Sequence, residues 1–291
     1  MTELQTMPSL GACYRAAVGL AAKDAVTKRR RPQDVPAEAV VVRGHRITGE
    51  SLDAYRRLLG TGEPESVPSV LVHIEAFPAA MHLMADEAFP LPLMGMVHLT
   101  NTVEHRRPVP VDVPLDITAR ASELVAHHAG TAVDMTVTVT DPETGEVLWE
   151  GVSRYLAKGV HRGGRPERPA REDFTAPRMT GQWRLDGGAG RRYAAVSGDY
   201  NPIHLTGPSA KLLGMKGSIA HGMYLAARML AGREPDGAGF RWEIVFDAPV
   251  LLPGTVAVAY SHPAEGVTEV TGWNARKGRR HFTGLIDPIR A

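Results

Sequence analysis

A carboxylate and an imidazole, the two side chains best suited to moving a proton near neutral pH, lie close together in Gly198-Asp199-Tyr200-Asn201-Pro202-Ile203-His204. The stretch Tyr193-Ala194-Ala195-Val196-Ser197 reads as a helix of small residues ending near Gly198, a residue type common where helices close. Pro202 forbids helical continuation and biases Asn201 to an extended backbone. A tight loop of this kind can aim Asp199 and His204 at one point, where a carboxylate and an imidazole around one water make a general acid–base pair. The alternative is structural: Asp and Asn are ordinary turn and cap residues, and His204 would then be a surface histidine. The loop alone leaves both readings open.

His221-Gly222 follows, at the start of a second helical stretch. The first N–H groups of a helix have no partner within it. A glycine there lets a ligand oxygen come close, and such an N–H can stabilise the enolate oxygen developing on a thioester carbonyl. Gly222 would equally serve close packing.

These groups need a frame. Ile219 to Ala231 is apolar nearly all round, which suits a helix wrapped by other structure rather than laid on a surface. Strand-like stretches follow at Phe240 to Phe246, Thr255 to Ser261, Val267 to Ala275 and His281 to Ile286, with a short opening strand at Trp183 to Leu185. The N-terminal half repeats the plan, with Glu38 to Ile47, then Leu115 to Leu124, Gly130 to Thr140 and Glu146 to Ala157. Alternation is clear in Ala132-Val133-Asp134-Met135-Thr136-Val137-Thr138-Val139. Tyr55, Gly60 and Pro64 overlay Tyr193, Gly198 and Pro202 at one offset, and Arg107-Pro108-Val109-Pro110-Val111 overlays Ala248-Pro249-Val250-Leu251-Leu252. The expected organisation is an N-terminal extension (1–37), a first domain (38–157), a Pro-, Gly- and Arg-rich solvated linker (158–182) and a second domain (183–291): a duplicated α+β fold. Ala16 to Ala22 reads as an N-terminal helix, and the arginines and prolines of 24–37 as a solvated connecting loop.

Composition narrows the function. At 291 residues with a net charge of +1, no global field draws the chain to nucleic acid or an anionic membrane. Cys13 is the single cysteine, so an intrachain disulfide is impossible. No stretch is long and apolar enough to span a bilayer, and the cytoplasm is the expected compartment. The histidines show no metal-ligand spacing, His127-His128 included. Gly187-Gly188-Ala189-Gly190 lacks the dinucleotide fingerprint.

Together, Gly198, Asp199, Asn201, Pro202, His204, His221, Gly222 and Met223 resemble the MaoC-like, R-specific enoyl hydratases of the hotdog fold, and the later Phe246 to Gly254 resembles their strand approach. The strong likeness covers roughly residues 183–290. With its weaker N-terminal copy, the chain is similar to the double-hotdog dehydratases, which implies two antiparallel sheets, each wrapped around a central helix. The resemblance implies reversible syn hydration of a trans-2-enoyl thioester to the (3R)-hydroxyacyl thioester. In the dehydration direction His204 would take the C2 proton, Asp199 would protonate the departing hydroxyl, Asn201 would help hold the water and the Gly222 N–H would bind the thioester oxygen. His221 and Met223 would flank the substrate. It implies no metal or redox cofactor: coenzyme A or the phosphopantetheine of an acyl carrier protein enters with the substrate. Reductases of fatty-acid synthesis are candidate partners, and a homodimer is compatible.

In the N-terminal half Thr61 and Ser66 stand where Asp199 and His204 stand, and Phe77-Pro78 falls where His221-Gly222 falls. Proline has no N–H to offer an oxyanion. That half is therefore expected to accommodate the acyl chain, with Phe77 and Met81 among the lining side chains and Met84, Met94 and Met96 as further candidates or ordinary core. Arg276-Lys277-Gly278-Arg279-Arg280 makes a basic hairpin tip that meets coenzyme A phosphates or an acidic carrier, or is simply a solvated turn. The rival functions are a hotdog thioesterase, since fold does not fix function, and a non-catalytic acyl-binding scaffold.

Overall fold

The computed structural model describes residues 1–64, 66–170, 173–235 and 239–289. Residues 171 and 172 of the expected linker, and 290 and 291 of the expected second domain, lie outside the described residues. The N-terminal half runs β2 (Val40–His45), α2 (Gly49–Leu59), α3 (Ser69–Met84), β3 (Val97–His105), β4 (Leu115–His127), β5 (Gly130–Thr140) and β6 (Val147–Lys158), after β1 (Thr2–Leu4) and α1 (Leu10–Thr27). The C-terminal half runs β7 (Gly181–Leu185), α4 (Ala189–Ser197), α5 (Pro202–Leu205), α6 (Gly207–Leu212), α7 (Gly222–Leu230), β8 (Phe240–Phe246), β9 (Gly254–Ser261), β10 (Thr268–Asn274) and β11 (Arg279–Pro288).

The sheet order is β1-β2-β4-β5-β6-β3-β8-β11-β10-β9-β7. Counted within each half, the strands run first, third, fourth, fifth, second from the outer edge inward. The two second strands, β3 and β8, pair antiparallel from Thr100↔Val245 to His105↔Phe240. The α+β class is as expected, but the two expected sheets are one eleven-stranded sheet, continuous across that seam.

Local bonds repeat the symmetry. α2 and α4 both close on left-handed glycines, Gly60 and Gly198, each with φ near 70°. The Val67 N–H donates to the Val109 carbonyl and the Ala220 N–H to the Val250 carbonyl, each at 2.9 Å. Buried nearly all round, α3 packs across β2, β4, β5 and β6. α7 packs on β11 and on α3. It is shorter than the apolar stretch suggests, because Ile219 precedes it in an isolated bridge to Leu251. The seam is tied at the centre: Trp149 and Trp242, one from each half, both donate their indole N–H to Ser69 Oγ, at 2.9 and 2.8 Å.

One segment differs from expectation. Arg29 and Arg31, after α1, are clamps rather than solvated residues, while Arg30 is exposed. Arg31 pairs with Asp24 at 2.7 Å and donates to the carbonyls of Phe89 and Leu91, while Arg29 donates to that of Glu87. These bonds hold α1 on the body, and its inner face buries Leu10, Cys13, Ala17 and Leu20. The linker is exposed at 163–170 and 175–180, in keeping with a solvated segment, and is pinned to the protein at isolated points. Arg162 N–H donates to Thr131 Oγ1 at 2.7 Å, Phe174 packs against Trp273, and β7 has begun by Gly181.

Candidate active site

The loop after α4 is built by its own side chains. Asp199 Oδ1 accepts from the Asn201 N–H at 3.1 Å, and Asn201 Oδ1 accepts from the Ile203 N–H at 3.3 Å, capping α5. Two glycines permit the close approach that places His204. Gly198 takes the left-handed turn, and a side chain at Gly190 would overlap the His204 carbonyl.

The tautomer of His204 follows from its neighbour. Its Nδ1 lies 2.9 Å from the Ile219 carbonyl, which can only accept, so Nδ1 carries the proton and Nε2 presents a lone pair. Burial holds the His204 pKa below the usual imidazole value of 6.5, against opposing pulls from the Asp199 charge and the Ile219 carbonyl. His221 stacks on His204 with centroids 3.7 Å apart and planes inclined by 25°. Its Nε2 donates to the Asp199 carbonyl at 3.0 Å and lies 3.8 Å from Asp199 Oδ2. Burial and the neighbouring His204 bring its pKa down to about 3, so it stays neutral.

Asp199, His204 and His221 place ligand atoms within 4.8 Å of one another, a donor set that could in principle hold a metal ion. The ring geometry opposes it. An imidazole binds a metal in its own plane, and two planes that are nearly parallel and 3.7 Å apart do not meet at metal–ligand distance. The group suits proton transfer better. His221 also N-caps α7 without any side-chain cap bond, so the N–H groups at that helix start are left to other acceptors. At Gly222 a Cβ would stand 2.9 Å from Phe246 Cζ, so packing against that ring also requires glycine.

From Phe246 a line of rings runs into the N-terminal half: His98 at 5.2 Å, Tyr155 a further 4.5 Å on, then Phe77 at 6.4 Å. Phe77 thus connects with Phe246, beside the start of α7, through intermediate rings. Met81, Met84 and Met223 are buried core residues. Arg276 lies in an exposed turn, while Lys277 lines a separate cavity of about 430 Å³ with Lys216, Arg279 and His281. His98, Tyr155, Phe246 and Tyr14 are site neighbours that sequence reasoning missed. They come from four separate elements or element ends, and only the fold brings them together.

One alignment is corrected. Pro78 lies inside α3. The matching bonds Val67 to Val109 and Ala220 to Val250 make Pro68-Ser69 the counterpart of His221-Gly222. The N–H at the start of α3 is therefore present, and it is occupied. Ser69 donates to both oxygens of Glu234, at 3.2 and 3.0 Å. Burial raises the Glu234 pKa to about 7, opposed by that hydrogen bond. A cavity of about 410 Å³, lined in part by Thr61, Ser66, His105 and Glu234, persists there.

Residues 185–277 match the MaoC like domain. Over 261 residues the chain is 33% identical to 3-hydroxyacyl-thioester dehydratase X of Mycobacterium tuberculosis, covering 88% of this chain and 91% of that protein. The chain belongs to the MaoC-like dehydratase family. The crystal structure of HtdX from M. tuberculosis matches it with a TM-score of 0.75 at 30% identity, over 87% of this chain and 100% of that one. A MaoC-like dehydratase from Phytophthora capsici shares the fold, with a TM-score of 0.68 at 18% identity over 88% of this chain and 97% of that one. The MaoC-like match falls in the C-terminal half, whereas the likeness to HtdX runs through both. Among the described residues no helix is long and apolar enough to cross a membrane.

Proposed function

We propose that this MaoC-like protein catalyses reversible hydration of trans-2-enoyl thioesters to (3R)-hydroxyacyl thioesters. The observation that carries the reading is a neutral His204, fixed by Ile219 so that Nε2 is the basic nitrogen, beside Asp199 and the uncapped start of α7. In dehydration His204 Nε2 takes the C2 proton, electrons move onto the thioester oxygen, and the Gly222 N–H stabilises that oxygen. Asp199, which carries the proton in this direction, gives it to the hydroxyl as the C3–O bond breaks, and water departs. Hydration runs the same steps backwards, with Asn201 helping to hold the water through its amide nitrogen. The thioester is carried by coenzyme A or an acyl carrier protein, with Lys277 and its basic neighbours suited to the phosphates.

The test follows loss of enoyl absorbance from crotonyl-CoA, with the product offered to R- and S-specific dehydrogenases. We expect loss of absorbance, no free thiol and coupling only to the R-specific enzyme. Asp199→Asn and His204→Ala should each lower turnover about 10²–10⁴-fold. Near-wild-type turnover in either variant, or coupling to the S-specific enzyme, would overturn the reading; a released thiol would instead indicate hydrolysis.

A further inference from the structure

The N-terminal helix α1 lies outside the MaoC-like match, yet it reaches the candidate catalytic carboxylate. Tyr14 Oη donates to Asp199 Oδ1 at 2.8 Å. Leu10, one turn earlier, lies against Gly198, 3.7 Å from where a Cβ would stand. The Asn201 side chain hydrogen-bonds to the Tyr14 oxygen in turn. Oδ1 therefore accepts from both the phenol and the Asn201 N–H. Among the described residues Oδ2 has no hydrogen-bond partner, and His221 Nε2 stands 3.8 Å away, beyond hydrogen-bond range. The two oxygens of the carboxylate are thus made different: one is anchored and one is available.

We propose that Tyr14 is a positioning residue for the hydration site: its phenol anchors Asp199 Oδ1 so that Oδ2 is the oxygen exchanging a proton with substrate water. Burial and the Asp199 charge push the Tyr14 pKa far above its usual value, so the phenol stays protonated and remains a donor. The other titratable groups facing Asp199 are His204, His221, Tyr155 and Tyr193. Of these contacts, only that of Tyr14 comes from the segment ahead of the first half. The inference rests on the acid–base role given to Asp199 above.

The test is Tyr14→Phe in the full chain, assayed for hydration of crotonyl-CoA across pH beside Asp199→Asn. Losing a donor to the carboxylate favours its protonated form, so the limb of the kcat–pH profile that reports the Asp199–His204 pair should move to higher pH. We expect kcat to fall about 10-fold or more with KM within about twofold, the size of effect typical of a lost hydrogen bond to a charged group. Lys23→Ala, which removes a surface pairing of α1 with Glu87 but leaves the phenol, should behave as wild type. Should Tyr14→Phe fail to fold, a fluorinated tyrosine at position 14 supplies a more acidic phenol and should move the same limb to lower pH. An unchanged kcat and pH profile in Tyr14→Phe, while Asp199→Asn is inactive, overturns the role of Tyr14 and leaves the site reading intact. A lower kcat with an unmoved pH profile overturns it too, because a merely structural contact would do that. If Asp199→Asn itself retains turnover, the acid–base reading fails first.

Discussion

His204 is readied as a base by two opposing influences. Burial favours the neutral ring, while the Asp199 charge favours the protonated one, and burial is the larger. A lowered imidazole pKa keeps the basic form populated at pH values where a free histidine would already be charged. Dehydration of a (3R)-hydroxyacyl thioester should therefore show an acid limb below the ordinary imidazole value of 6.5. Because Asp199 and His204 share a site, the limb belongs to the pair rather than to one residue. A pH–rate profile of the purified enzyme checks this, and an acid limb above 6.5 would contradict it. At this scale the sequence was informative where chemistry is local. Asp199, Asn201 and His204 are brought together by a loop whose glycine and proline can be read directly. Tyr14 could not be found that way. Its phenol meets Asp199 across 185 positions of chain, and nothing in the amphipathic pattern of α1 sets that tyrosine apart.

The helix α3 and the strand β3 carry what the N-terminal half contributes to the ring series and the second cavity. Ser66 lines the cavity beside the occupied N–H of Ser69, and Glu234 rather than a substrate oxygen accepts that N–H. Ser66→Ala should leave turnover of crotonyl-CoA nearly unchanged. A collapse of that turnover, with the melting temperature retained, would give the N-terminal half a chemical role. Phe77 stands at the far end of the ring series that starts at Phe246. Phe77→Ala should raise the specificity constant for longer enoyl-CoAs relative to crotonyl-CoA, by up to about fourfold for each further methylene buried, at about 0.8 kcal/mol each. Ala80, fully buried in α3, should shift the preference to shorter chains when enlarged to Val. Strands with plain alternation, such as β5, were legible from their residues. β3 was not, because the buried positions Asn101 and His105 are polar. Asn101 Oδ1 instead accepts from Ser153 Oγ at 2.6 Å, and a buried polar pair of this kind erases the hydrophobic signal that marks a strand.

The whole molecule is one sheet because β3 and β8 complete each other, and this decides what a half can do alone. A chain of residues 183–291 would bare the β8 edge that β3 covers from Thr100 to His105. It would also lose Ser69 Oγ, the acceptor of the Trp242 indole N–H, although Trp242 is only 1% exposed in the intact protein. An unpaired strand edge with apolar neighbours is a template for self-association. The sheet order is the same in each half, so β8 of a second copy can take the place of β3 and turn an approximate twofold into a true one. We therefore expect residues 183–291 to be insoluble or dimeric. A dimer would keep the Asp199–His204 loop on both copies but lack α1, and with it the Tyr14 phenol. Its turnover should match the Tyr14→Phe variant of the full chain rather than wild type, so that the loss of the helix and the loss of the Tyr14 hydroxyl coincide. Light scattering for mass, followed by crotonyl-CoA turnover on the same fraction, measures both. A folded, monomeric fragment with full activity would refute the seam as the reason for two halves, and a dimer with wild-type kcat would make α1 dispensable for the chemistry.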